Sequence, residues 1–135
     1  MAPAAAQTLK QFFVNSGTKP EDYDLILTGD LGKVGTQLLK ELLQKENIVL
    51  QNHNDCGLMI FAPEQNVQSG ASGCGCGASV LASYILPEMG RGELGNVLFV
   101  ATGALMSPAT SMQGETIPCI AHLVNIKSGK ELHKK

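Results

Sequence analysis

Ser69-Gly70-Ala71-Ser72-Gly73-Cys74-Gly75-Cys76-Gly77-Ala78-Ser79-Val80-Leu81-Ala82-Ser83-Tyr84-Ile85-Leu86-Pro87 carries no charge, and the charge-free run reaches back to Gln65. Glycine recurs at positions 70, 73, 75 and 77 among small side chains, a pattern that lets a backbone approach another surface or a ligand closely. From Gly75 or Gly77 onward, Val80, Leu81, Tyr84 and Ile85 set a helical repeat that Pro87 kinks or stops. A surface helix of a soluble domain keeps one polar face in water. This helix has none, which predicts that it is enclosed on all sides. Leu94 to Gly114 is again uncharged, and only Glu88, Arg91 and Glu93 carry charge between Gln65 and Gly114.

Outward from that segment, helices and short strands alternate. Ala5, Leu9, Phe12 and Phe13 stripe a helix from Ala4 to Val14, ended by Gly17 and Pro20. Asp24 to Thr28 reads as an apolar strand, followed by a helix from Lys33 to Glu46 with Val34, Leu38, Leu39, Leu42 and Leu43 toward the core. Ile48 to Asp55 reads as a loop with a short extended piece, Leu58 to Phe61 as a strand, and Pro63 to Ser72 as connection. Downstream, Asn96 to Thr102 has the look of a strand covered on both faces. A long loop through Pro108 leads to a last strand, Ile117 to Lys127, and the polar tail from Ser128 frays. The alternation predicts an α/β domain over residues 1–135 with a mixed, mostly parallel sheet. The pattern opens on a helix with no strand before it, as though a first strand were missing.

Composition excludes several classes. At 135 residues, 44% hydrophobic and 16% charged, the chain is one folded domain rather than a disordered segment. A net charge of −2 gives no basic face for nucleic acid. The first residues lack the charged-then-apolar layout expected of a secretory signal, and no apolar run is long enough to span a bilayer. The cysteines, Cys56, Cys74, Cys76 and Cys119, read as reduced and packed thiols. His53, Asp55, Cys56, Cys74 and Cys76 could be grouped as metal ligands, but they match no standard ligand spacing, and no metal or cofactor is expected.

Three constellations compete for chemistry. Thr28-Gly29-Asp30-Leu31-Gly32-Lys33-Val34-Gly35 has the spacing of a dinucleotide-binding turn, with Asp55 about twenty residues on as the ribose acid. Asp30 opposes that reading, because it sets a carboxylate where phosphate would sit. The alternative is a tight strand-to-helix connection. The second constellation is the Cys74/Cys76 segment, where a helix N-terminus could activate a thiol, although packing is the simpler role. The third is His122, read as a satisfied core residue rather than a catalyst, while His53 and His133 are expected in solvent.

Several segments together resemble the stage V sporulation protein AD family. They are Tyr23 to Gly35, Asp55-Cys56-Gly57, Ser72-Gly73-Cys74-Gly75-Cys76, Val100-Ala101-Thr102-Gly103-Ala104-Leu105 with Ser107-Pro108, Glu115-Thr116-Ile117-Pro118, and Ile120-Ala121-His122. The resemblance implies the C-terminal half of a thiolase-like (condensing-enzyme) fold lacking its first strand, with the third helix in a central layer between two sheets. Thiolase-like enzymes take their nucleophilic cysteine from the other half. The positions where this half usually holds a histidine carry Thr28-Gly29-Asp30-Leu31 and Gly73-Cys74-Gly75-Cys76 here, so the resemblance implies no catalytic residue. It also implies a role in uptake and binding of dipicolinic acid in developing spores, in a soluble protein peripheral to the spore inner membrane. The partners so implied are membrane proteins of the same operon, with the N-terminal half or a second copy of this chain covering the apolar layer. Residues nearest the ancestral cleft would be Gly29, Asp30, Gly73, Cys74, Cys76 and Ser107. An acyltransferase using Cys74 or Cys76 and a nucleotide-binding oxidoreductase are the alternatives.

Overall fold

In the computed structural model, which describes residues 1–71, 73–105 and 107–129, a four-stranded sheet is flanked by helices on both faces. The elements are α1 (Ala2–Ser16), β1 (Leu25–Thr28), α2 (Gly32–Gln44), β2 (His53–Asp55), α3 (Cys56–Met59), α4 (Cys76–Val80), α5 (Leu86–Arg91), β3 (Asn96–Ala104), α6 (Pro108–Met112) and β4 (Cys119–Lys127). Strand order is β2-β1-β3-β4; β1 runs parallel to both β2 and β3, and β4 is antiparallel to β3. This is the mixed, mostly parallel α/β sheet that the alternation implies. His133 and nearly all of the tail expected to fray lie outside the described residues.

Side chains alternate across the sheet and feed two separate cores. On one face Ile26, Leu98 and Val100 meet Ala5, Leu9 and Phe13 of α1 and Leu39 and Leu43 of α2. On the other, Leu27 and Val97 meet Cys56, Cys76, Val80, Ile85 and Met89. The helix stripes explain these contacts, but the α2 stripe is narrower than its sequence suggests. Leu39 and Leu43 are buried, whereas Val34 is 71% exposed and Leu38 41%, because α1 covers only one side of α2.

Two further expectations are corrected and one left open is decided. Residues 58–61 are not a strand: the Asp55 side chain accepts from Gly57 N–H and caps α3, which takes Cys56–Met59. The loop expected through Pro108 ends at Ser107, because Pro108 opens the short α6. Of the two outcomes open at Pro87, a kink or a stop, the stop does not occur in the helix from Cys76. The helix passes through a π-helical turn, Leu81–Ile85, into α5 and ends at Gly92. The widened turn keeps the proline ring off the carbonyl one turn back, where a regular α-helix would clash.

That helix is also enclosed on one side only. Val80, Ile85 and Met89 pack on the sheet, while Tyr84 is 52% and Leu86 44% exposed, beside exposed Ser79, Ala82 and Ser83. Its uncharged outer face is therefore not covered by any other part of the described chain. The charge pattern correctly marks a surface without charged groups, but not one buried within this chain.

Candidate functional site

The chain leaves β1, places α2 on one face of the sheet and enters β2; it then crosses back over the other face through α4 and α5 to reach β3. The connections that leave the neighbouring strands β1 and β2 thus run over opposite faces of the sheet. In open α/β sheets, ligands bind in the crevice beyond the carboxyl ends of strands at such a point. A cleft of about 780 Å³ lies beyond the carboxyl ends of the parallel strands β1 and β3, one strand over from that point. Gly29 and Asp30 follow β1, Thr102 and Gly103 end β3, and Gly73 and Cys74 come from the glycine segment.

The glycine turn after β1 is shaped by Asp55, which is fully buried. Its carboxylate accepts from the Thr28 hydroxyl at 2.5 Å, from Leu31 N–H and Gly32 N–H at 2.9 Å each, and from Gly57 N–H at 3.0 Å. These are the backbone donors that a dinucleotide turn offers to pyrophosphate. Here an internal anion consumes them, so the Thr28 to Gly35 motif is a tight connection and the nucleotide reading is set aside on geometry. Gly32 stands at φ +65°, with the carbonyl oxygen of Ser69 2.2 Å from where a Cβ would lie. At Gly57 the Ala71 carbonyl oxygen would be 2.4 Å away. Only glycine fits at these two crossings.

Asp30 is 9% exposed and bridges two cleft walls. Oδ1 accepts from the Thr102 hydroxyl at 2.6 Å, and Oδ2 from Gly73 N–H at 3.1 Å. Thr102 was not singled out from sequence; a lone hydroxyl at the carboxyl end of an apolar strand is the signal that could have found it. Gly29, Asp30, Gly73 and Cys74 therefore meet in one place. Cys76 lies buried in the core beneath, and Ser107 lines a different groove with Pro108, Ser111 and Glu115.

The thiols divide by exposure. Cys56 and Cys76 are buried, Cys74 and Cys119 exposed, so packing accounts for only two of the four. Burial, reinforced chiefly by the charge of Asp55, pushes the Cys56 thiol up to about 12. Burial and the charges of Asp30 and Asp55 raise Cys76 as well. A nucleophilic cysteine needs the opposite, an environment that favours thiolate. Among the described residues, no three His, Cys, Asp or Glu side chains converge as a metal-binding group.

Both described histidines sit otherwise than their sequence context suggests. His53 lies in β2, half-buried rather than in solvent, with Nε2 3.1 Å from the Thr28 hydroxyl oxygen. Since Thr28 gives its proton to Asp55, His53 donates into Thr28, and its Nδ1 is buried without a hydrogen-bond partner. Burial, aided by the charge of Lys40, lowers its pKa to about 4. His122, expected in the core, is exposed on the edge strand β4. Among the described residues, no helix is long and apolar enough to cross a membrane.

Comparison with known proteins places this geometry in a lineage. The family described as Stage V sporulation protein AD matches residues 1–127. Stage V sporulation protein AD of Bacillus subtilis (strain 168) is 50% identical over 123 residues, covering 90% of this chain and 36% of that protein. The chain thus spans about a third of the length of the curated relative it matches.

Proposed function

The chain belongs to the stage V sporulation protein AD family, and from that premise we propose that the full-length protein is a non-catalytic, thiolase-like sporulation protein that binds dipicolinic acid for uptake into the developing spore. This chain contributes one wall of the binding region and a structural layer. The remainder of the protein, or a second copy of the chain, covers its open apolar face, and the assembly sits beside membrane proteins at the spore inner membrane. The observation that carries the non-catalytic part is the state of the two thiols buried in the core beneath the cleft. Cys56 and Cys76 are held above their ordinary range by burial and by neighbouring carboxylates, which suits packing and not acyl transfer.

Titration calorimetry of the full-length protein with dipicolinate tests the binding claim. A saturable heat is expected, and its absence at high ligand removes the claim. Acyl transfer through Cys74 or Cys76 is tested separately with an acyl-CoA analogue that alkylates thiols. Labelling no faster than that of a free thiol at both positions fits the proposal, whereas rapid stoichiometric labelling at either restores the enzyme reading.

A further inference from the structure

We propose that the outer edge of β4 is a pairing surface for a second copy of this chain, the two strands running antiparallel about a two-fold axis at Asn125. The two edges of the sheet differ. β2 has 3 residues, whereas β4 runs unbroken for 9, Cys119–Lys127, each in register against β3. Soluble proteins guard a long edge with charge, proline, a bulge or a covering segment. β4 has no bulge, and it carries no lysine, arginine or carboxylate before its last residue, Lys127.

The ladder fixes which backbone groups face outward. Leu105 N–H donates to the Pro118 carbonyl and Ser128 N–H to that of Gly95, so the even-numbered residues from 118 to 128 bond across to β3 and its ends. The N–H and C=O groups of Cys119, Ala121, Leu123, Asn125 and Lys127 therefore point away from the sheet. Pro118 gives this edge no protection, because its missing N–H would have faced Leu105. Only the first part of the edge is covered, where the Thr8 hydroxyl of α1 donates to the Ala121 carbonyl at 2.9 Å. Among the described residues, no group meets the backbone of Leu123, Asn125 or Lys127 from outside.

The open half, Leu123 to Lys127, is complementary to itself. An axis at Asn125 sets Asn125 against the partner's Asn125 and Leu123 against the partner's Lys127, so that each outward N–H meets a carbonyl. On the face that α4 covers in part, Val124 comes opposite the partner's Ile126 on both sides of the axis. These are non-hydrogen-bonded pairs, where side chains approach most closely, and apolar pairs there stabilise a sheet. Val124 is 52% exposed in the single chain, and the added strand covers it. No like charges come opposite each other. A second copy is the occupant because the same short sequence supplies both halves of the match, and because an unguarded edge needs a partner that is always present.

The pairing is independent of the dipicolinate reading. Sedimentation velocity of the full-length protein over a concentration series tests it, with Asn125→Pro and Asn125→Ala. Both substitutions remove the side-chain bonds to Asn96 and Val97, but only proline removes the outward N–H. Wild type and Asn125→Ala are expected to dimerise alike. In Asn125→Pro the pair at the axis loses both its donors, and the dissociation constant should rise about tenfold or more. Equal weakening by both variants, no weakening by proline, or a monomeric wild type overturns the proposal. A monomer whose Leu123 and Asn125 amides resist hydrogen exchange would show instead that another part of the longer protein fills the edge. Should the proline variant fail to fold by circular dichroism, Asn125→Cys is treated with a short bis-maleimide beside Val34→Cys, which lies exposed on α2. Two copies should then be joined through position 125, as mapped by mass spectrometry, and a yield no higher than at position 34 overturns the pairing.

Discussion

Asp55 and His53 show how a single buried carboxylate can shape a turn and how a neighbouring imidazole then becomes acid-sensitive. Four donors converge on the Asp55 side chain, three of them backbone N–H groups from two segments. Asp55→Ala would leave those donors buried and unpaired, at a cost of at least about 3 kcal/mol. Urea denaturation followed by far-ultraviolet circular dichroism should read this as a lower midpoint with an unchanged slope. The spacing of Asp55 from the glycine turn is visible in the sequence, but spacing does not distinguish a residue that binds a ribose from one that replaces the phosphate. His53 makes a second, pH-dependent prediction. Its pKa falls from 6.5 to about 4 on folding, so between those values the unfolded chain binds the proton and the folded one does not. Stability is therefore full above pH 6.5 and declines as the pH drops toward 4, by about 1–2 kcal/mol before pH 5 is reached. His53→Gln should flatten the dependence of the urea midpoint between pH 7 and 5. An equally steep dependence in the variant would show that other groups govern it.

At the scale of elements, the crossing of α4 over the end of β1 sets the depth of the cleft. A Cβ at Gly77 would lie 3.3 Å from Phe99 Cζ and 3.4 Å from Gly29 Cα. A methyl could be met by a small shift of the Phe99 ring, but Gly77→Val would add branched bulk against the Gly29 backbone. That variant should lose about 1–3 kcal/mol and lift the helix from the strand. Hydrogen exchange should then rise at Gly29 and Asp30 while the α1 layer stays protected; uniform loss of protection would contradict the local account. The helices were legible because their stripes are long: α1, α2 and the helix from Cys76 all lie within a few residues of where periodicity puts them. The short elements were not. Leu58 to Phe61 reads as a strand, whereas the Asp55 side chain caps a helix over Cys56–Met59. Likewise Val34 and Leu38 match the α2 stripe, yet nothing in sequence says how wide a neighbour α1 will be. Of the cleft, Gly29, Asp30, Gly73 and Cys74 could be anticipated from the resemblance and their places at the ends of elements. Thr102 could not, because its role depends on which strand becomes the neighbour of β1, a fact of topology.

The whole molecule has an imbalance between its two faces. The α1 and α2 layer closes over the sheet, whereas the opposite side leaves Tyr84 and Leu86 on the helix and Ile120 and Val124 on β4 about half exposed. Register puts Val124 opposite Phe99 and His122 opposite Ala101, so Ile120, His122 and Val124 share the sheet face that α4 covers only in part. Apolar groups spread over a helix and an adjoining edge strand, with few charges between them, form the kind of surface that associates. The chain spans about a third of its longer relative, so within a complete protein other parts of that protein could provide the cover. In isolation only another copy can. Light scattering of the isolated chain should therefore show mass rising with concentration, and Tyr84→Lys combined with Val124→Lys should reverse it by placing charge on both parts of the face. Both positions are about half exposed, so the lysines can reach water without disturbing either core, and the far-ultraviolet spectrum should be unchanged. A wild-type chain that stays monomeric across the concentration series would show instead that this face tolerates water, and the proposed covering layer would lose its physical basis.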